Sequence, residues 1–186
     1  KYAVAIMAQG QYDGSTVSIT NTGDLYSTMS FSKYGAAAGI IAGADGNVDI
    51  TNSGAITTQG GVIGFGMMAN SNVDTHIVND GDIVVHQALA AGFGIRAQAY
   101  GNATIEATGD VDVLAAKYGV GLIADSYDGT ASVSSTGDLH VTAYDRAMGI
   151  VVNSGYGDAH ATNGGTITVD GGVYGNGDYV SVTGVY

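Results

Sequence analysis

Apolar and polar residues alternate along this chain, and the alternation repeats. In ASVSSTGDLHV (Ala131–Val141), apolar side chains stand at Ala131, Val133, Leu139 and Val141, on either side of a small-residue step. The same step followed by an apolar strand recurs as NTGDL (Asn21–Leu25), NSGAI (Asn52–Ile56), NDGDI (Asn79–Ile83), ATGDV (Ala107–Val111), STGDL (Ser135–Leu139) and NGGTI (Asn163–Ile167). Its central glycines, Gly23, Gly54, Gly81, Gly109, Gly137 and Gly165, lie 31, 27, 28, 28 and 28 residues apart. A period of that size indicates a stack of similar structural units. Apolar residues predominate six and four before the glycines and two and four after them, with Thr75, Ser27 and Thr58 as polar members. That period-two spacing predicts a pair of short, half-buried strands around a turn.

A third segment precedes each pair: VAIMA (Val4–Ala8), AGIIA (Ala38–Ala42), FGMMA (Phe65–Ala69), FGIRA (Phe93–Ala97), VGLIA (Val120–Ala124) and MGIVV (Met148–Val152). In most of them a residue such as Ile40, Met67, Ile95, Leu122 or Ile150 is followed two positions later by a small one, as in a short strand with one inward face. No 3.6-residue periodicity is sustained, and glycines interrupt every candidate helix. Leucine is too scarce for a leucine-rich repeat, and the unit is too short for a propeller blade. The expected fold is all-β: a right-handed parallel β-helix with three short strands per coil, about 28 residues per coil. Residues 1–186 then form one domain of about six and a half coils, on the order of 30 Å long at the inter-strand spacing. Ile50, Ile77, Ile105, Leu122 and Leu139 are expected inside.

Composition sharpens this picture. There are 31 glycines and no proline, yet 45% of the chain is apolar and patterned, which argues against disorder. The absence of proline fits a backbone engaged in ladders. A net charge of −12, with only five basic residues, argues against nucleic acid or an anionic membrane as partner. The lack of cysteine excludes disulfides and thiolate metal sites. No apolar run is long enough for a transmembrane helix. The repeat is cut in mid-unit at both ends, which suggests a fragment of a longer chain or a filament subunit whose exposed strand edges pair end to end.

Some columns carry chemistry. Asn21, Asn52, Asn79 and Asn163 stand two before the glycine, where stacked amides can form an axial ladder and Asn tolerates left-handed turns or closes Asx-turns. A glycan-binding role is the alternative. With Gly23, Gly54, Gly81, Gly109, Gly137 and Gly165 they form the expected structural turn and ladder set. Asp24, Asp82, Asp110 and Asp138 follow the glycine; Asp82, Asp110 and Asp138 would stack on successive coils, either solvated and splayed or bridged by a weakly held cation such as Ca²⁺. The Ca²⁺-binding β-roll pattern is absent; its nearest approach, GGVYGNGDYV (Gly171–Val180), has the wrong Gly–Asp spacing. His76 and His160 share a column three coils apart, about 14 Å at the strand spacing, and His86 and His140 fall elsewhere, so no metal centre is expected. The bases Lys1, Lys33, Arg96, Lys117 and Arg146 converge with no acid, Asp125 and Asp145 included, as polysaccharide cleavage would require. No catalytic residue is expected. Twelve tyrosines, with Tyr34, Tyr100, Tyr118, Tyr127, Tyr144, Tyr156 and Tyr174 at corners, suit either corner packing or a surface that meets sugars or proteins.

VDITNSGAITT (Val48–Thr58), THIVNDGDIVV (Thr75–Val85), ASVSSTGDLHV (Ala131–Val141) and the AGIIA-type strands resemble the passenger domains of bacterial autotransporters (type V secretion). The resemblance covers nearly the whole chain. It implies a right-handed parallel β-helix on the outer-membrane surface of a Gram-negative bacterium or released outside it. The family contains adhesins, biofilm components, proteases and toxins, so membership does not fix an activity. The function expected is that of a non-enzymatic extracellular structural or adhesive protein. Its partners would be its own neighbouring coils or copies, glycans or cell-surface proteins. The alternative is a carbohydrate-active β-helix enzyme.

Overall fold

A computed structural model of the chain describes residues 2–30, 35–171 and 181–184. Its described residues form strands and turns only, with no helix. The first coil holds β1 (Tyr2–Gln9), β2 (Val17–Asn21) and β3 (Leu25–Met29), and the second β4 (Ala36–Ala44), β5 (Val48–Asn52) and β6 (Ile56–Gly60). Then come β7 (Ile63–Ser71), β8 (Thr75–Asn79) and β9 (Ile83–Ala88), followed by β10 (Ala91–Ala99), β11 (Ala103–Ala107) and β12 (Val111–Ala115). β13 (Tyr118–Ser126), β14 (Ala131–Ser135) and β15 (Leu139–Ala143) form the fifth coil; β16 (Arg146–Ser154), β17 (Ala159–Asn163) and β18 (Ile167–Gly171) form the sixth, and β19 (Ser181–Gly184) follows.

Each strand pairs in parallel with its equivalent one coil away, so the chain is a three-sided β-solenoid. Sheet A runs β1-β4-β7-β10-β13-β16-β19, while sheet B (β2 to β17) and sheet C (β3 to β18) hold six strands each. The small-residue step is the corner between sheets B and C. Ile50, Ile77, Ile105, Leu122 and Leu139 are all interior, at most 1% exposed, within one continuous stack of Ile, Val, Leu, Met and Ala. The alternating pattern folds this way because each coil can bury its inner face only against the coils beside it.

Sheet A departs from the sequence reading. β4, β7, β10, β13 and β16 are nine residues long, and their alternation breaks at a glycine. A Cβ on Gly39, Gly66 or Gly94 would overlap the inner side chains Ile56, Ile83 or Val111, and the next residues, Ile40, Met67 and Ile95, also point inward. Two successive inward positions bring side chains together on the outside too. Phe65 and Phe93 stack there with ring centroids 5.1 Å apart, under the Arg96 guanidinium, which lies 6.0 Å from the Phe93 ring centre. These strands therefore have two apolar faces, not one.

The irregular periods have local causes. Six residues separate β3 from β4 in the sequence, against two between β6 and β7, which accounts for the 31-residue unit. Gly60 and Gly61 have φ of 81° and 79°, a left-handed pair that closes the shortest, 27-residue coil where a side chain would be strained. β9 then carries one extra residue, and its register with β12 shifts between Leu114 and Ala115.

Candidate functional site

The Asn column forms a ladder. Asn21 Nδ2 donates to Asn52 Oδ1 at 2.7 Å, and Asn52 Nδ2 to Asn79 Oδ1 at 2.8 Å. Each amide also donates to the carbonyl two residues on: Asn21 to Gly23, Asn52 to Gly54, Asn79 to Gly81 and Asn163 to Gly165. Asn52 and Asn79 are fully buried. The ladder stops at Ala107. The glycines beside it serve close approach, not left-handed backbone. A Cβ on Gly54, Gly81, Gly109, Gly137 or Gly165 would overlap the carbonyl oxygen of the glycine one coil before it, whereas at Gly23 it would meet nothing.

The Asp column is solvent-exposed and hydrogen-bonds from coil to coil. Asp24, Asp82, Asp110 and Asp138 each use Oδ1 to accept the backbone N–H of the equivalent residue one coil on: Ala55 at 3.0 Å, Asp110 at 3.0 Å, Asp138 at 2.8 Å and Thr166 at 2.7 Å. A second ladder of this kind, missed in the sequence, runs along the corner between sheets A and B. Asn47 Oδ1 faces the Asp74 N–H at 3.4 Å, Asp74 accepts from Asn102 at 2.6 Å, and Asn102 from Thr130 at 2.9 Å. Its signal is an Asn, Asp or Thr seven residues before each central glycine. Ser71, Ser126 and Ser154 complete this corner, each hydroxyl donating to a glycine carbonyl, Gly46, Gly101 and Gly129.

The remaining titratable groups pair along the outer faces. On sheet C, Asp112 lies 3.1 Å from His86 and 3.5 Å from His140, which also faces Asp170 at 3.4 Å. On sheet B, His76 faces Asp49 at 4.0 Å and Glu106 at 3.4 Å. His160 has Asp158 at 4.0 Å. Among the described residues no three His, Asp or Glu side chains gather as a metal site would require. The sequence placed Arg96 and Asp125 apart. The structure joins them: Arg96 lies 3.8 Å from Asp125, whose Oδ1 accepts from Asn153 at 2.7 Å, and Arg96 donates to Gln98 at 3.1 Å. Lys117 and Arg146 meet through backbone only, Arg146 N–H donating to the Lys117 carbonyl at 2.9 Å. Asp145 is exposed.

One face differs in chemistry from the others. Gln9, Gly43, Asn70, Gln98, Asp125 and Asn153 form one outward row across sheet A. Beside it, at the corner after the strands, Tyr100 and Tyr127 pack with centroids 5.0 Å apart, and Tyr127 and Tyr156 edge to face at 5.5 Å. The hydrogen bond with Tyr156 first, then the electrostatic influence of Tyr156 and Tyr100, pushes the Tyr127 phenol above its usual range. A groove of about 700 Å³ runs between this tyrosine ladder and the amide row. Of the other corner tyrosines, Tyr144 is an exposed turn residue and Tyr118 opens β13. Tyr34, Tyr174, Lys1, Lys33 and most of the GGVYGNGDYV stretch lie outside the described residues.

Compared with known proteins, the chain matches no family model, no curated protein and no solved structure.

Proposed function

We propose that this chain is a non-enzymatic structural or adhesive surface protein, a β-solenoid of the autotransporter-passenger kind displayed outside a Gram-negative cell. The observation that carries this is where the repeated polar side chains are used. The Asn, Asp and Ser columns hydrogen-bond coil to coil, so they hold the stack together; the histidines of sheets B and C pair with acids, and sheet A carries a row of amides beside stacked, exposed tyrosines. Exposed Tyr beside amides is the composition of a contact surface.

The test is adhesion. Beads coated with the purified chain should adhere to bacterial or host cells above beads coated with an unrelated acidic protein. Equal adherence would refute the adhesive reading. The enzymatic alternative rests on the Arg96–Asp125 pair, in which Asp125 Oδ2 lies 3.8 Å from Arg96 and Oδ1 accepts from Asn153. Turnover of any polysaccharide that is lost in Asp125→Asn would favour that alternative.

A further inference from the structure

We propose that the sheet A groove binds a neutral oligosaccharide, with Tyr100 as its stacking shelf and the amides of Gln9, Asn70 and Gln98 as its hydrogen-bonding wall. The inference rests on the adhesive reading and supplies its ligand class.

The shelf follows from the register. Tyr127 covers one side of the Tyr100 ring. On the other side the column continues with Asn72, which is stacked over the second coil through its N–H to the Ala44 carbonyl. The Asn72 amide is drawn away from the ring, donating to Asp45 Oδ1 at 2.5 Å. The ring therefore opens onto the groove, whose floor is the small pair Gly43 and Ala44. A Cβ built on Gly43 would meet nothing within 4 Å, so a notch separates Gln9 from Asn70 in the amide row. An apolar ring face beside a notch bounded by amides suits a pyranose ring, which has apolar C–H faces and a rim of hydroxyls.

The wall has unused capacity. Gln9 and Asn70 make no side-chain hydrogen bond to another described residue, and Gln98 uses only Oε1, towards Arg96. Each amide offers donors and an acceptor, as a hydroxyl-bearing ligand requires. The coils repeat about every 4.8 Å, close to the length of one hexose along an extended glycan, so successive amides meet successive sugars.

Charge selects a neutral sugar. Asp45, which accepts from the groove residue Asn72, is held below the usual carboxylate range by Asn72 first, then by the Gly14 N–H and Asp13. The residues lining the groove include no Lys or Arg, and the chain carries −12 overall. An acidic glycan is repelled. A peptide strand finds no free edge along β4, β7 and β10, each paired on both sides; the groove reaches the edge strand β1 only at Gln9.

The experiment titrates the full chain with neutral hexasaccharides of glucose, mannose, galactose and N-acetylglucosamine, and with a hexamer of galacturonate. Tyrosine fluorescence reports binding, since the chain has no Trp. At least one neutral hexamer should bind saturably, and Tyr100→Ala should weaken it about tenfold, or about 1.4 kcal/mol. Tyr144→Ala should leave it unchanged, with the circular dichroism of both variants native. If no neutral hexamer binds, if binding is indifferent to both Tyr100→Ala and Gln98→Ala, or if galacturonate binds as tightly, the inference is overturned. Bead adhesion separates the two readings. Adhesion without sugar binding ends this inference alone, and sugar binding without adhesion ends the adhesive reading alone.

Discussion

At Gly109 one hydrogen atom keeps two coils at their normal spacing, because a methyl group there would sit on the Gly81 carbonyl oxygen. Gly109→Ala should therefore cost about 1–3 kcal/mol through overpacking, while Gly23→Ala, with open space around it, should be nearly neutral; chemical denaturation of the two variants makes the comparison. The sequence showed both glycines as one column. The difference between them lies in the neighbouring coil, which a single repeat does not display. The same reasoning applies to Asp45. Its carboxyl is depressed in the folded chain chiefly by Asn72, so any stability it adds is present at neutral pH and is lost as pH falls through its folded value. Asn72→Ala should move the Asp45 titration upward, read by NMR of its side-chain carboxyl. Tyr127 has the opposite sense: a raised phenol adds stability that is lost as pH rises through its folded value. Tyr156→Phe should let Tyr127 ionise at lower pH, read by ultraviolet titration.

Among the elements, sheets B and C were legible because their strands obey period two and their corners repeat at fixed offsets. Sheet A was legible in position but not in character. Its inward pair at Gly39 and Ile40 breaks the alternation, and its outer seam of Phe65 and Phe93 reads in sequence as core. The tyrosine ladder was harder to see, because Tyr100, Tyr127 and Tyr156 are 27 and 29 residues apart and only side-chain length closes the misregister. The Asn ladder offers a sharper test. Asn79 donates to the Gly81 carbonyl but meets Ala107 on the next coil, and beyond it the buried Ser135 hydroxyl has no hydrogen-bond partner among the described residues. Replacing both, Ala107→Asn with Ser135→Asn, should continue the ladder from Asn79 to Asn163 and stabilise the chain by about 1 kcal/mol per new bond. Asn52→Ala should destabilise it by about 1–3 kcal/mol, because a buried acceptor on Asn79 loses its donor. Thermal melts of the three chains order these effects.

For the whole molecule, cooperativity follows from the stack. Ile77→Ala should cost about 2–5 kcal/mol by opening a cavity in a core that runs unbroken through the coils. Removing one complete unit, residues 110–137, rejoins Gly109 to Asp138 in the same register and should leave a shorter chain with the same circular dichroism shape. Removing 110–123 places a sheet A strand where a sheet C strand belongs, and that chain should not fold. The ladders have one further property. In the Asn ladder Asn21 and Asn52 donate toward the next coil, and the Asp and Asn oxygens of the corner ladders receive from it, whereas Asn72 and Asn153, outside these ladders, donate the other way. The solenoid thus has a sense, as an arrow has. A growing stack presents waiting amide protons and carboxylate oxygens on its C-terminal side. On its N-terminal side it presents waiting amide oxygens and backbone N–H groups. Each coil is a template that accepts the next in only one orientation, so propagation from any nucleus proceeds by two chemically different routes, and a coil laid down backwards finds donors facing donors.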